Sequence, residues 1–111
     1  MEITTNQFKH CDLVKVSGRI DSGTAPQFAE ALNAIIDAGR FRIAVDLSEV
    51  SFMSSAGLRV LVNAQKTCKR YNRGEVVLSN VPVNINAALD LAGFVPLFKM
   101  FDDITTAVGY F

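Results

Sequence analysis

Phe41-Arg42-Ile43-Ala44-Val45-Asp46-Leu47 leads through Ser48-Glu49-Val50-Ser51-Phe52-Met53 into Ser54-Ser55-Ala56-Gly57-Leu58-Arg59-Val60-Leu61. This stretch decides the fold. Its first part is apolar and β-branched at the centre, which suits an interior strand covered on both faces. After a connection over 48–53, a helix begins near Ser54 or Ser55 and carries Leu58, Leu61, Val62, Gln65 and Cys68 on one face. Lys66, Lys69 and Arg70 fall in its last turns, where cations suit the helix dipole. The turn Asn72-Arg73-Gly74 follows.

Working outward, residues 2–9 and 11–19 read as two strands joined by a hairpin near Lys9-His10-Cys11-Asp12, without an Asn-Gly or Asp-Gly signal. Gly18 to Gly23 reads as a loop. Thr24 and Gln27 have the spacing of a capping box, and Pro26 sits in the first turn, where its missing N–H costs little. Phe28, Leu32, Ile35 and Ile36 continue that helix at helical spacing, and Gly39 stops it. Glu75 to Ser79 is a further strand. Asn84 or Asn86 is a candidate cap for a short helix through Leu89 and Leu91, which Gly93 ends. Residues 97–101 read as a last strand, and Asp102-Asp103 opens a terminal helix. Strands alternating with helices predict one α/β domain over residues 1–111, with a mixed sheet of four to five strands and about four helices.

Composition narrows the function. The chain has 111 residues, half of them hydrophobic, and eleven Lys and Arg balance eleven Asp and Glu. Zero net charge argues against a dedicated nucleic-acid binder. No apolar run approaches the roughly 18–20 residues needed to span a bilayer, and no signal peptide is expected at the N-terminus. Cys11 and Cys68 are far apart and share no CxxC spacing, so the reading is a cytoplasmic chain without a disulfide framework or metal site. One histidine, His10, cannot build a His-rich metal centre, and no phosphate-binding glycine motif or G-x-S-x-G elbow is present. The expectation is therefore no catalytic residue, no cofactor and no enzyme. A phospho-accepting receiver domain, with Asp46 as acceptor, would need an early acidic pair. Asp102-Asp103 lies at the wrong end for that.

The junction after the central strand remains the strongest local signal. Functional groups in open α/β sheets gather at the C-terminal ends of strands. A serine at a helix start meets unpaired backbone N–H groups and the positive end of the dipole, so a phosphate attached there finds an anion site. Ser55 can equally be a plain N-cap. Small residues at Ala56 and Gly57 leave room for a partner's groups to approach.

Residues 46–61 together resemble the signature of the STAS domain, and more narrowly the bacterial anti-sigma factor antagonists. Gly18-Arg19-Ile20-Asp21 before a helix resembles a second element of that family, and the remaining strands and helices fit it along essentially the whole chain. The resemblance implies partner switching. The unphosphorylated protein binds an anti-sigma factor serine kinase and frees a sigma factor. The kinase phosphorylates a serine and releases the antagonist, and a PP2C-type phosphatase restores binding. The acceptor position falls on Ser55. Many members carry Asp before the acceptor, whereas this chain has Ser54, which makes Ser54 the alternative acceptor. The partner surface is expected around Asp21, Ser22, Thr24, Ser54, Ala56, Gly57 and Arg59. Asp21 can instead fill an Asx-turn, Ser22 and Thr24 can be local caps, and Asp46 is expected to brace the serine loop. Arg59, Lys66, Lys69, Arg70 and Arg73 are either a face for an acidic partner or a solvated face. The other reading from the same family is a constitutive scaffold subunit of a transport or sensory complex, without phosphorylation. The expected state is a monomer or weak dimer.

Overall fold

Strand β3 (Arg42–Met53) is the centre of the sheet and, at twelve residues, its longest strand. The computed structural model describes residues 1–111, the side chain of Tyr71 excepted. The sheet order is β1 (Glu2–Gln7), β2 (Asp12–Ile20), β3, β4 (Glu75–Ser79), β5 (Met100–Phe101). β1 pairs antiparallel with β2, and every other pairing is parallel. Parallel neighbours need crossovers. These are α1 (Ala25–Asp37), α2 (Ser55–Lys69) and α3 (Val83–Leu91), with α4 (Ile104–Gly109) after β5. The architecture is the mixed five-stranded α/β sheet that the sequence pattern predicts.

Side-chain alternation along the strands sorts the core into two layers. Val14, Ile43, Val45, Val76 and Leu78 pack beneath α1, α2 and α3 together with Phe28, Leu32, Leu61 and Leu89. Leu13, Ala44 and Val77 face the other way and meet Ala107 of α4. Each fully buried Leu, Ile or Phe contributes about 1.5–3 kcal/mol, so the larger layer dominates stability. Gly39 ends α1 with φ +83°, and the N–H groups of Gly39 and Arg40 return to the Ile36 and Ile35 carbonyls. Such a left-handed stop is where glycine belongs.

Two expectations at element boundaries are corrected. Residues 48–53 are not a connection but the second half of β3. Lys15 opposes Asp46 while Ser17 opposes Glu49, and Gly18 opposes Val50 while Arg19 opposes Phe52. At each step β3 has one residue more than β2, which is the signature of a bulge. Two bulges erase the period-two alternation that would have marked a strand. The last strand is also shorter than the apolar run 97–101 suggests, because Val95–Leu97 forms a 3-10 turn and only Met100 and Phe101 pair.

One buried polar side chain ties the sheet to α2. The Gln65 amide donates to the carbonyls of Val76 (3.0 Å) and Leu97 (2.7 Å), and its Oε1 accepts from Val76 N (2.7 Å). β5 pairs with β4 only at Leu78 and Ser79, so the backbone of Val76 is satisfied by this side chain instead.

Candidate functional site

The end of β3 delivers the serine loop to the C-terminal edge of the sheet, beside the end of β2. Ile20 opposes Met53, and Ser54 N donates to the Ile20 carbonyl at 2.8 Å. Ser54 has extended backbone, and its Oγ accepts from Gly57 N at 3.5 Å. Ser54, not Ser55, is therefore the helix cap. Ser55 is the first residue of α2, is exposed, and spends no side-chain hydrogen bond on the helix. The amides of Ser55 and Ala56 lie in the first turn, where backbone donors have no intrahelical acceptor.

Gly57 is buried, and a Cβ built there would lie 2.7 Å from both Ile20 Cγ2 and Met53 Cγ. Its smallness lets α2 approach β2 and β3. That corrects the expectation that it leaves room for a partner. Ala56 is half-buried beside it.

Asp21 follows Ile20 directly, so the parallel β2–β3 pairing brings its loop next to the serine loop. Its Oδ1 accepts from Gly23 N (2.9 Å) and Thr24 N (3.1 Å), which is an Asx-turn. The hydrogen bonds from Thr24 and Gly23, with a smaller contribution from the Arg19 charge, hold its carboxyl below the usual Asp range. Oδ2 has no hydrogen-bond partner among the described residues. The Thr24 side chain does not cap α1. Its hydroxyl accepts from Asp21 N and donates to the Arg19 carbonyl, both at 2.9 Å. The capping box expected from Thr24 and Gln27 is absent because Asp21 already organises the turn. Ser22 is exposed at the tip of this loop.

Arg59 is exposed one turn beyond Ser55. Both line a groove of about 390 Å³ between α2 and the segment after α3. Leu58, Val62 and Phe94 make its apolar surface, and Lys66 is a second cation on it. Lys69 and Arg73 lie elsewhere, at the opposite end of the sheet.

Asp46 does not brace the serine loop. It is 5% exposed in the middle of β3, and its carboxylate accepts from Ser48 N and Ser48 Oγ at 3.1 Å each. A mid-strand, covered carboxylate also lacks the strand-end position that a receiver acceptor needs. Asn84 does not cap α3 either. Pro82 occupies the cap position, and the Asn84 amide donates to the Ser51 carbonyl at 3.0 Å, tying α3 to the strand that leads into the serine loop.

Two neighbours of the site were not anticipated from sequence. Phe52 is 38% exposed, and the Arg19 guanidinium stacks on its ring at 4.4 Å. The signal was an aromatic residue between Ser51 and Met53, concealed by the unrecognised strand. Leu91, next to the groove residue Ala92, is 92% exposed. No group of three or more His, Cys, Asp or Glu among the described residues is arranged to hold a metal ion. No described helix is long and apolar enough to cross a membrane.

The site is thus an accessible serine at a helix start, framed by an Asx-turn loop and an apolar groove with cations on it. A binding domain built on an open mixed sheet is the class this describes. The chain belongs to the STAS domain family, whose family model matches residues 2–107. An anti-sigma-B factor antagonist of Listeria monocytogenes is 32% identical over 100 residues, covering 90% of this chain and 86% of that protein. The crystal structure of an anti-sigma factor antagonist from Mycobacterium paratuberculosis superposes with a TM-score of 0.87 at 23% identity, covering 98% of this chain and 92% of the other. The Bacillus cell fate determinant SpoIIAA in its phosphorylated form superposes with a TM-score of 0.78 at 15% identity, covering 98% of each chain.

Proposed function

We propose that this protein, read as one STAS domain over residues 1–111, is an anti-sigma factor antagonist of the cytoplasm and not an enzyme. Unphosphorylated, it binds an anti-sigma factor serine kinase and so frees a sigma factor. Phosphorylation of Ser55 by that kinase ends the binding, and a PP2C-type phosphatase restores it. The observation that carries the choice of acceptor is the division of labour between the two serines. The Ser54 hydroxyl is engaged as the cap, whereas Ser55 is exposed and uncommitted. Asp21, Ser22, Ser54, Ala56 and Arg59 surround it as the docking surface. Gly57 contributes from beneath, by holding the start of α2 against β2.

Magnitudes favour a local block over a refolding switch. A phosphoserine adds about −1.5 to −2 charges. At a helix start the dipole stabilises each charge by only about 0.3–1 kcal/mol, too little to reorganise a packed domain. Inside an interface, like-charge contact or forced desolvation costs several kcal/mol. A loss of about 3–4 kcal/mol weakens binding a few hundredfold. The test is calorimetry of Ser55→Ala and Ser55→Asp against the anti-sigma factor encoded by the same organism. Ser55→Ala should bind like the unmodified protein and Ser55→Asp far more weakly, with superimposable amide spectra. Equal affinities would overturn the switch, and tight constitutive binding by both variants would favour the scaffold reading.

A further inference from the structure

β1 is an outer strand of the sheet and is paired on one side only, with β2. The outer strand at the other end, β5, has two residues, so β1 is the long free edge. The hairpin fixes which of its backbone groups are free. Phe8 N donates to the Cys11 carbonyl at 2.8 Å, and the register runs on as Gln7 opposite Asp12 and Asn6 opposite Leu13. Hydrogen-bonded and non-hydrogen-bonded pairs alternate along an antiparallel ladder. Glu2, Thr4 and Asn6 therefore turn their N–H and C=O groups toward β2, while Ile3, Thr5 and Gln7 turn theirs outward. Among the described residues, no backbone group of a turn or loop meets those outward groups. Natural edge strands are blunted by lysine, proline, a bulge or brevity. β1 has none of these. It pairs with β2 without interruption over six residues, and its one charge, Glu2, stands at its end. The side chains of Ile3, Thr5 and Gln7 share the face that α1 covers, and with Ala31, Ala34 and Ala38 they line an open recess of about 640 Å³. A further strand would run about 4.8 Å outside β1, and the small side chains of α1 leave its inward residues room there.

We propose that β1 is a self-association edge, along which two copies of this chain pair antiparallel about a two-fold axis at Thr5. Thr5 is the middle one of the outward residues, so the edge is self-complementary. Thr5 opposes Thr5, and Ile3 of one copy opposes Gln7 of the other. Each of these pairs exchanges both of its N–H···O bonds, so every outward group is met. Glu2 of one copy falls opposite Phe8 of the other, and no like charges face one another. A contact of this isologous kind closes at two copies. It joins two five-stranded sheets into one. The two-fold reverses the strand direction, which sends the two serine loops to opposite ends of the joined sheet. Both Ser55 surfaces stay open, and the pairing does not depend on the phosphorylation switch. A six-residue edge is about 20 Å long, which places the contact among small, reversible interfaces.

The test is sedimentation velocity of the full chain from about 10 µM to about 1 mM, the range in which a small interface associates. A reversible monomer–dimer equilibrium is expected. Thr5→Lys and Thr5→Glu each place like charges opposite one another at the two-fold, so each alone should weaken dimerisation by about tenfold or more. An equimolar mixture of the two should regain it, because Lys then opposes Glu. Thr5 is exposed, and amide spectra report whether each variant keeps the fold. Thr5→Pro is the second variant. It removes only an outward N–H, leaves the ladder to β2 intact, and should also be monomeric. In the parent chain the amides of Ile3, Thr5 and Gln7 should exchange with solvent more slowly as concentration rises, with residues 54–57 unchanged. A parent chain that stays monomeric at the highest concentration would overturn the proposal. So would a dimer that both charged variants leave intact, or a mixture that fails to recover what each has lost. Dissociation by Leu91→Ser, with no effect of the changes at Thr5, would assign the dimer to the exposed face of α3 and overturn pairing through β1.

Discussion

Replacing Gln65 by Leu keeps the volume of the side chain and removes all three of its hydrogen bonds. The Val76 N–H and C=O are then left without partners in a fully buried stretch of β4, while the Leu97 carbonyl lies at a 39% exposed residue and can regain water. An unsatisfied buried polar group costs about 1–3 kcal/mol, so two of them cost about 2–6 kcal/mol. The apolar gain from Leu over Gln recovers about 1–2 kcal/mol. The expected net loss is about 1–4 kcal/mol. Urea unfolding at 25 °C, with a slope near 1.5 kcal/mol/M, should move the midpoint down by about 0.7–2.7 M without changing the slope. Thr67→Ala is the control on the same helix. Its exposed hydroxyl donates only to the Asn63 carbonyl, and it should stay within about 0.5 kcal/mol of the parent. A Gln65→Leu variant as stable as the parent would refute the claim that this amide closes the sheet where β5 is too short to do so.

Other consequences follow from the division of roles around the serine loop. Ser54→Ala should cost about 0.5–1 kcal/mol, the low end for a cap because its bond to Gly57 N is long, whereas Ser55→Ala should be neutral within about 0.5 kcal/mol. Equal losses in thermal or urea unfolding would undo the assignment of Ser54 as cap. The folded-state pKa of Asp21 is depressed by the hydrogen bonds from Thr24 and Gly23, so its ionised form stabilises the fold above the unfolded Asp value of about 3.9. That contribution is lost as pH falls through the depressed pKa. Asp21→Asn should therefore be less stable than the parent near neutrality, and the two should converge in acid. A constant gap across the range would refute the linkage. Burial pushes the Cys68 thiol up to about 11 and raises Cys11 as well, so neither should react with a thiol reagent at pH 8 until the chain is unfolded. Rapid labelling of either one in the native protein would contradict that burial.

The route from residues 41–61 to a strand, a serine loop and a helix was legible because apolar spacing and the basic helix end act locally. What escaped the sequence depends on contacts between distant segments. The second half of β3 lost its alternation to two bulges defined only by pairing with β2. Thr24 has the composition of a cap, yet Asp21, three residues earlier, takes the turn, and the choice between them is settled in the tertiary structure. Gln65 sits on the apolar face of α2 because the backbone it serves arrives eleven residues later. Gly57 gave no sign of which side its missing Cβ serves until Ile20 and Met53 were placed beneath it. The Asp21 loop lies beside the serine loop because β2 pairs in parallel with β3, and neither segment carries that pairing in its own residues.

The switch turns on one hydroxyl, and phosphopeptide mapping by mass spectrometry on the chain isolated from its native cells reads it. With and without phosphatase treatment, a phosphatase-sensitive phosphate is expected on Ser55. Phosphate on Ser54 instead, or an unmodified serine loop under every growth condition, would contradict it.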